Sequence, residues 1–231
     1  MKKILTTALV IVLTGAITPA IGQDCEIYKD YKEGTSTTMV HYDKKDKPTG
    51  NTVTTVKEKK NIVGGVSLLF HQQYSDYEEY SFESEFEIRC VNGDVIVDMG
   101  KFIDPATLAA YENMEIDIEA DDLSIPRNAS PGDELNNGTV TVTVNTGTPI
   151  KVTVQATLSN RRVDSREKIE TPAGTFDCLK LSYDMLTKIG FLKIQSSASE
   201  YYNSEHGVIK SETFNKKGKL TGYSVVEEIS N

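Results

Sequence analysis

Three cysteines, three histidines and 34 carboxylates are the side chains here with the means to do chemistry. Their spacing narrows what that chemistry is. Cys178 lies in "IETPAGTFDCLKLSYD" (Ile169 to Asp184), where strand alternation puts it on a face with Phe176 and puts Leu179 and Leu181 on the other. Apolar cover on both sides raises a thiol's pKa and leaves it inert. A nucleophilic thiol also wants a histidine partner, and the local sequence offers none. Cys178 therefore reads as structural, either half of a disulfide or a buried thiol. Cys25, Cys90 and Cys178 are all disulfide candidates, and three pairings are open.

The remaining groups form no reaction centre by spacing. His41, His71 and His206 stand far apart, without the close ligand pairs a zinc site uses. "EIDIEADD" (Glu115 to Asp122) is acidic but lacks the glycine and carboxylate positions of a calcium loop, and its Ile116 and Ile118 alternate as in a strand. No nucleophile elbow, phosphate-binding loop or dinucleotide fingerprint occurs, so no cofactor is expected. Tyr74, Tyr77 and Tyr80 suggest a sugar-stacking platform, yet tyrosines on a sheet face commonly just pack, and the chain has no tryptophan. Asn128 and Asn137 begin glycosylation sequons, which matter only in a host that uses them.

The first residues address the chain rather than build it. Lys2 and Lys3 precede an apolar run from Ile4 to Ile21 broken by Pro19, and Ala20 and Gly22 suit cleavage before Gln23. Residues 1–22 are expected to be a signal peptide, leaving one exported domain over 23–231. Cys25 is no lipid-anchor site, because Gln23 and Asp24 stand where small residues are needed. No later segment is long and apolar enough to span a membrane. A net charge of −9 disfavours nucleic acid as a partner.

Period-two alternation dominates. In "YSFESEFEIRC", Tyr80, Phe82, Phe86, Ile88 and Cys90 share one face while Glu83, Glu85, Glu87 and Arg89 share the other. Val140, Val142 and Val144 face Ile150, Val152 and Val154 across a turn at Asn145 to Thr148. Ile125 to Gly138 reads as an ordered loop. The one helical signal is Asp104 to Met114, opened by an Asp-Pro pair. "HYDKKDKPTGNTV" (His41 to Val53) is echoed by "TFNKKGKLTGYSV" (Thr213 to Val225), with Gly218 and Asp46 in the left-handed turn position. Pro172, Gly174 and Gly207 mark further turns. The expected fold is all-β: a single twisted antiparallel sheet with one short helix near 104–114.

The stretches "KIETPAGTFDCLKLSYD" and "EYYNSEHGVIKSETFNKKGKLTGY", with "DMGKFID" and "EADDLSIPRNASPGDEL", resemble the exported bacterial family catalogued as domain of unknown function 3108, and especially its TapB-like relatives in the Bacteroidota. The resemblance runs from about Cys25 to Ile229. It implies a spiral roll or open half-barrel, supplies no catalytic residues to carry over, and leans toward disulfide use at the three cysteines without fixing the pairing. Residues and resemblance together suggest a non-catalytic exported β protein, periplasmic or secreted, that binds an apolar small molecule or an envelope protein. An assembly accessory docking a partner through sheet edges is the second reading, and an envelope hydrolase the third.

Overall fold

Alternation becomes strand along the whole chain. The computed structural model describes residues 25, 27–77, 81–102, 115–145 and 151–230. Its strands are β1 (Ser36–Asp43), β2 (Pro48–Ile62), β3 (Gly65–Asp76), β4 (Ser81–Val91), β5 (Asp94–Asp98), β6 (Glu115–Ala120) and β7 (Asp122–Ile125), then β8 (Gly138–Asn145), β9 (Lys151–Thr171), β10 (Gly174–Ile189), β11 (Leu192–Asn203), β12 (Gly207–Asn215) and β13 (Leu220–Ser230). All belong to one antiparallel sheet in the order β6-β8-β9-β10-β11-β12-β13-β1-β2-β3-β4-β5-β7. The stretch proposed as a helix, 104–114, lies outside the described residues, as do residues 1–22. A 3-10 turn at Met99–Phe102 leads toward the former.

The order has a simple logic. β8 to β13 form one meander and β1 to β5 another, and β1 joins them by pairing with β13 in a register that sets Val40 against Val225 and Tyr42 against Tyr223. The two edge strands, β6 and β7, are separated in sequence by a single residue, Asp121. A chain that steps from one edge of a sheet to the other in one residue must have rolled those edges together, so the sheet nearly closes into a barrel-like roll.

The core follows from the inward half of each strand. Val56, Leu68, Phe70, Ile88, Leu123, Val140, Leu158, Val163 and Leu181 are buried in one cluster. The expected hairpin is present: Val144 pairs with Val152, Val142 with Val154 and Val140 with Ala156, while Ile150 and the turn itself lie outside the described residues.

The echoed motif forms two hairpins with the same hydrogen bonds. Asp43 accepts the amides of Lys45 and Lys47 on Oδ1, as Asn215 does for Lys217 and Lys219. Thr49 and Thr221 each donate back to the preceding strand. Gly218 takes φ 70° without cost, and Asp46 takes φ 62° at the matching place. Pro172 and Gly174 sit at the β9–β10 turn. Gly207 opens β12 at a close approach: a Cβ there would meet Tyr28 Oη at 2.2 Å.

A segment ahead of β1, Ile27 to Thr35, plugs the end of the roll. Ile27, Tyr28, Tyr31 and Thr35 are buried. Tyr28 N donates to Glu205 O at 2.7 Å, Gly34 N to Val56 O at 2.9 Å, and Lys59 Nζ caps the carbonyls of Tyr28, Lys29 and Tyr31 at 2.8–3.0 Å. The Cys25–Cys90 disulfide holds the start of this segment to β4. Cys178, the third disulfide candidate, is a free buried thiol. Closing 65 residues of chain, the bridge should contribute about 4 kcal/mol through the unfolded state. Chemical denaturation of Cys25→Ser/Cys90→Ser against the oxidised protein is expected to show a loss of that order, and Cys178→Ser no comparable change in sensitivity to reductant.

Candidate functional site

Because side chains alternate, each strand lining the interior offers every second residue to it. Phe70 and Gln72 of β3, Phe86 and Ile88 of β4, Val95 and Val97 of β5, and Leu123 and Ile125 of β7 thus meet around a hollow of about 360 Å³, with Tyr28 and Tyr31 of the plug at one end. The aromatic part is tightly arranged. Phe70 and Phe86 are direct cross-strand partners with stacked rings 5.3 Å apart, and Tyr28 lies edge-on to Phe70 at 5.1 Å. Burial lifts the Tyr28 and Tyr202 phenols well above the ordinary value, so both stay neutral.

The opposite wall is polar and partly paired within itself. His41 Nε2 lies 2.7 Å from Thr52 Oγ1, Ser211 Oγ lies 2.7 Å from Ser224 Oγ, and Tyr31 Oη lies 3.2 Å from Thr37 Oγ1. These pairs meet part of the hydrogen-bonding demand facing the hollow, while His206 Nδ1 is buried with no hydrogen-bond partner.

One charge pair reaches this interior. Arg161 is buried because β9 bulges there: Ser182 pairs with Arg162 but Asp184 pairs with Ser159, and Asn160 adopts φ 53°. The extra residue shifts the alternation and turns Arg161 inward. Its Nη1 donates to Asn136 O at 2.5 Å and Asn136 Oδ1 at 3.1 Å. Burial draws the guanidinium below its ordinary pKa, opposed by Glu200 and Tyr183. Tyr183 Oη in turn donates to Glu200 at 2.9 Å.

The structure brings two of the histidines to the hollow and disperses the other residues that sequence singled out for chemistry. His41 lines the hollow. His71 faces Glu83 and Glu85 at 3.7 and 4.0 Å, and His206, which also lines the hollow, packs between Tyr31 and Phe176. Cys178 and Leu179 are buried on opposite faces of β10, Cys178 in a small cluster with Tyr201, Ile209 and Val226. Burial pushes its thiol up to about 11. The acidic stretch at Glu115 is β6, and its last members have structural work: Asp121 accepts the Thr139 amide at 2.8 Å and Asp122 pairs with Arg89 at 2.6 Å. Among the described residues no three His, Cys, Asp or Glu side chains gather as metal ligands. Tyr74 stacks on Phe82 at 5.1 Å and Tyr77 is exposed, so they form no platform; Tyr80 lies outside the described residues.

Sequence reasoning missed Arg161 and the plug. A signal existed for the first: in "LSNRRVD" two arginines interrupt an alternating strand, which requires either an exposed apolar register or a bulge. Tyr28 and Tyr31 carried no periodic signal, because their segment is irregular.

Three comparisons bear on this geometry. The model of the DUF3108-like family matches residues 32–226. No curated protein matches the sequence. Among solved structures, a Bacteroides fragilis protein with a YmcC-like fold, inferred to be exported, superposes with a TM-score of 0.72 at 23% identity, covering 90% of this chain and 100% of that one. A Parabacteroides distasonis protein inferred to be a lipoprotein gives 0.73 at 22% identity with the same coverages. At these identities the likeness establishes the fold.

Burial lowers the His41 pKa below its ordinary value. The unfolded chain therefore takes up a proton near pH 6.5 that the folded one refuses until lower pH, and stability falls as pH drops through that window. Unfolding free energies between pH 7.5 and 5.5 are expected to decline in the native protein and to decline less in His41→Gln.

Proposed function

We propose that this chain, which belongs to the DUF3108-like family, is an exported, non-catalytic β protein that holds a small lipophilic molecule inside its roll. The observation that carries the reading is the hollow itself. It combines a cluster of aromatic and aliphatic side chains with a polar wall several of whose groups are already paired. Such a lining favours an apolar guest, which needs shape and dispersion and few new hydrogen bonds. Its volume of about 360 Å³ is at the small end of the range for ligand sites, suited to one acyl chain or a compact ring system.

Export, with the chain periplasmic or secreted, rests on the leader-like residues 1–22 and on an oxidised Cys25–Cys90 pair, a bond that persists where thiols are not kept reduced. The names of the two structural neighbours agree with it. Within the family, the TapB-like relatives of the Bacteroidota remain our finer assignment. Residues 23–231 act as a single domain in this reading, with no cofactor. The non-catalytic part is supported by the placement of His71 and Cys178 away from the hollow, which leaves His41 and His206 on its lining with no thiol beside them. Docking a partner through sheet edges has less support, because β6 and β7 are only six and four residues long.

The test is direct. A fluorescent fatty acid such as cis-parinaric acid should bind the purified mature chain at one site, and native mass spectrometry of protein from its own host should retain a small molecule. Thr54→Phe places a ring in the hollow and should weaken probe binding by about tenfold while the protein stays folded. Equal binding by Thr54→Phe and the native chain would remove the hollow from the reading.

A further inference from the structure

The strand registers bring two unlike features to one rim of the roll. Ser196 pairs with Asn215 and Asp43 with Gly222, so the β10–β11, β12–β13 and β1–β2 turns all lie at the same end. The β10–β11 hairpin overshoots β12 on one side, while on the other β9 runs beside its tip, Ile189 facing Val154 and β9 beginning at Lys151. β11 continues from Ser196 out to Leu192, and the turn at Gly190 and Phe191 lies roughly 15 Å beyond the last β11–β12 pair at about 3.3 Å per residue.

The tip of that hairpin is apolar and exposed. Phe191 is fully exposed, and Leu192, Ile194 and Ile189 are exposed by 56%, 49% and 39%. Single exposed apolar residues are ordinary, but four on one hairpin tip are not. Set back from it stand cations: Lys193 on the hairpin itself, then the tips Lys216, Lys217 and Lys219, and Lys44, Lys45 and Lys47, all exposed. Among the described residues none of these seven makes an ion pair within 4 Å, although the chain as a whole carries −9. The nearby carboxylates point elsewhere. Asp43 is occupied by the amides of Lys45 and Lys47, and Asp46 accepts the Tyr223 hydroxyl at 2.9 Å. Tyr42 stacks on Tyr223 at 5.0 Å, which holds the two lysine tips in fixed relation. Acidic residues flank this arc, Asp76 at the end of β3 opposite Gly50 and Glu115 at the start of β6.

We propose that this rim docks on an anionic lipid surface, with Phe191 and Leu192 entering the acyl layer and the lysine tips meeting the headgroup phosphates. The layering is what selects lipid over protein. An apolar wedge in front of a ring of unpaired cations matches the order of a bilayer surface approached from inside outward, acyl chains and then phosphates. A protein partner would instead need a broad complementary face of about 800 Å² on each side, which one hairpin tip does not offer. The proposal is independent of what the hollow holds.

The chain contains no tryptophan, so Phe191→Trp gives a single reporter at the tip. Added to vesicles of phosphatidylglycerol and phosphatidylethanolamine, the mature Phe191→Trp protein should show blue-shifted emission and protection from acrylamide; neither should occur with phosphatidylcholine alone. In flotation, Phe191→Ser/Leu192→Ser should bind at least about tenfold more weakly. Lys216→Gln/Lys217→Gln/Lys219→Gln should lose about fivefold per lysine and become insensitive to salt in proportion. Thermal midpoints of all three variants should match the native one, since every altered side chain is exposed. Absence of flotation on anionic vesicles, unshifted tip emission, or a Phe191-dependent dimer in sedimentation equilibrium would each overturn the proposal, the last by assigning the tip to a second copy of the chain.

Discussion

A sheet of thirteen strands has two edges to dispose of, and everything else in this molecule depends on how it does so. The answer is concentrated at Asp121. Its amide donates to Thr139 O on β8, its carbonyl accepts from Met99, and its carboxylate accepts the Thr139 amide, so the residue between the two edge strands ties both to the sheet. Beyond it, the loop from Pro126 to Asn137 continues the line of β8 alongside β9. Leu135 N bonds Arg161 O, Val163 N bonds Asp133 O, and Gly132 N bonds Val163 O. The side chain of Asn136 then bridges from that loop to β7, accepting from Ser124 and donating to Asp122 O. Open edges invite pairing with other chains, and a seam of this kind removes most of that exposure.

The seam also explains why a guanidinium is buried in an otherwise apolar interior. Arg161 spends its donors on the carbonyls and amide oxygen of Asn136 and Ser124, groups that the irregular join leaves without strand partners. Burying the charge is unfavourable by itself, and these hydrogen bonds offset part of the loss. Glu200 and Tyr183 give the charge a nearby counterweight. The bulge at Asn160 is therefore part of the closure: it aims the residue that stitches the seam.

Much of this was legible from residue types alone. Period-two alternation located β4, β8 and β9 and named their inward faces, because a half-buried strand has no other way to hide its apolar side chains. The left-handed positions at Asp46 and Gly218 followed from turn stereochemistry, a local property that tertiary context did not override. The two buried faces at Cys178 and Leu179 were likewise visible in the alternation. What sequence could not reveal was long-range. The choice of Cys90 as partner for Cys25 depends on the plug folding back on β4, and the plug is irregular chain without period. The site was hidden for the same reason: its lining comes from strands far apart in sequence, each contributing two or three unremarkable residues.

Strand number then decides what the interior is. About eight strands make a barrel whose side chains just fill it, and wider rolls must flatten, be filled, or stay hollow. This one is wide, and its own sequence fills part of the space. The segment from Ile27 to Thr35 inserts Tyr28 and Tyr31 against Phe70, Lys59 satisfies the carbonyls that insertion would orphan, and the disulfide keeps the segment from leaving. The filling stops short of His41 and Ser211, where small and polar side chains pair with one another across a space they do not occupy. Larger side chains at Thr52, Thr54 or Ser224 would have packed it solid, and a smaller plug would have left it open to water. The hollow is thus set by residue size at a few inward positions of a sheet whose circumference was fixed by its seam.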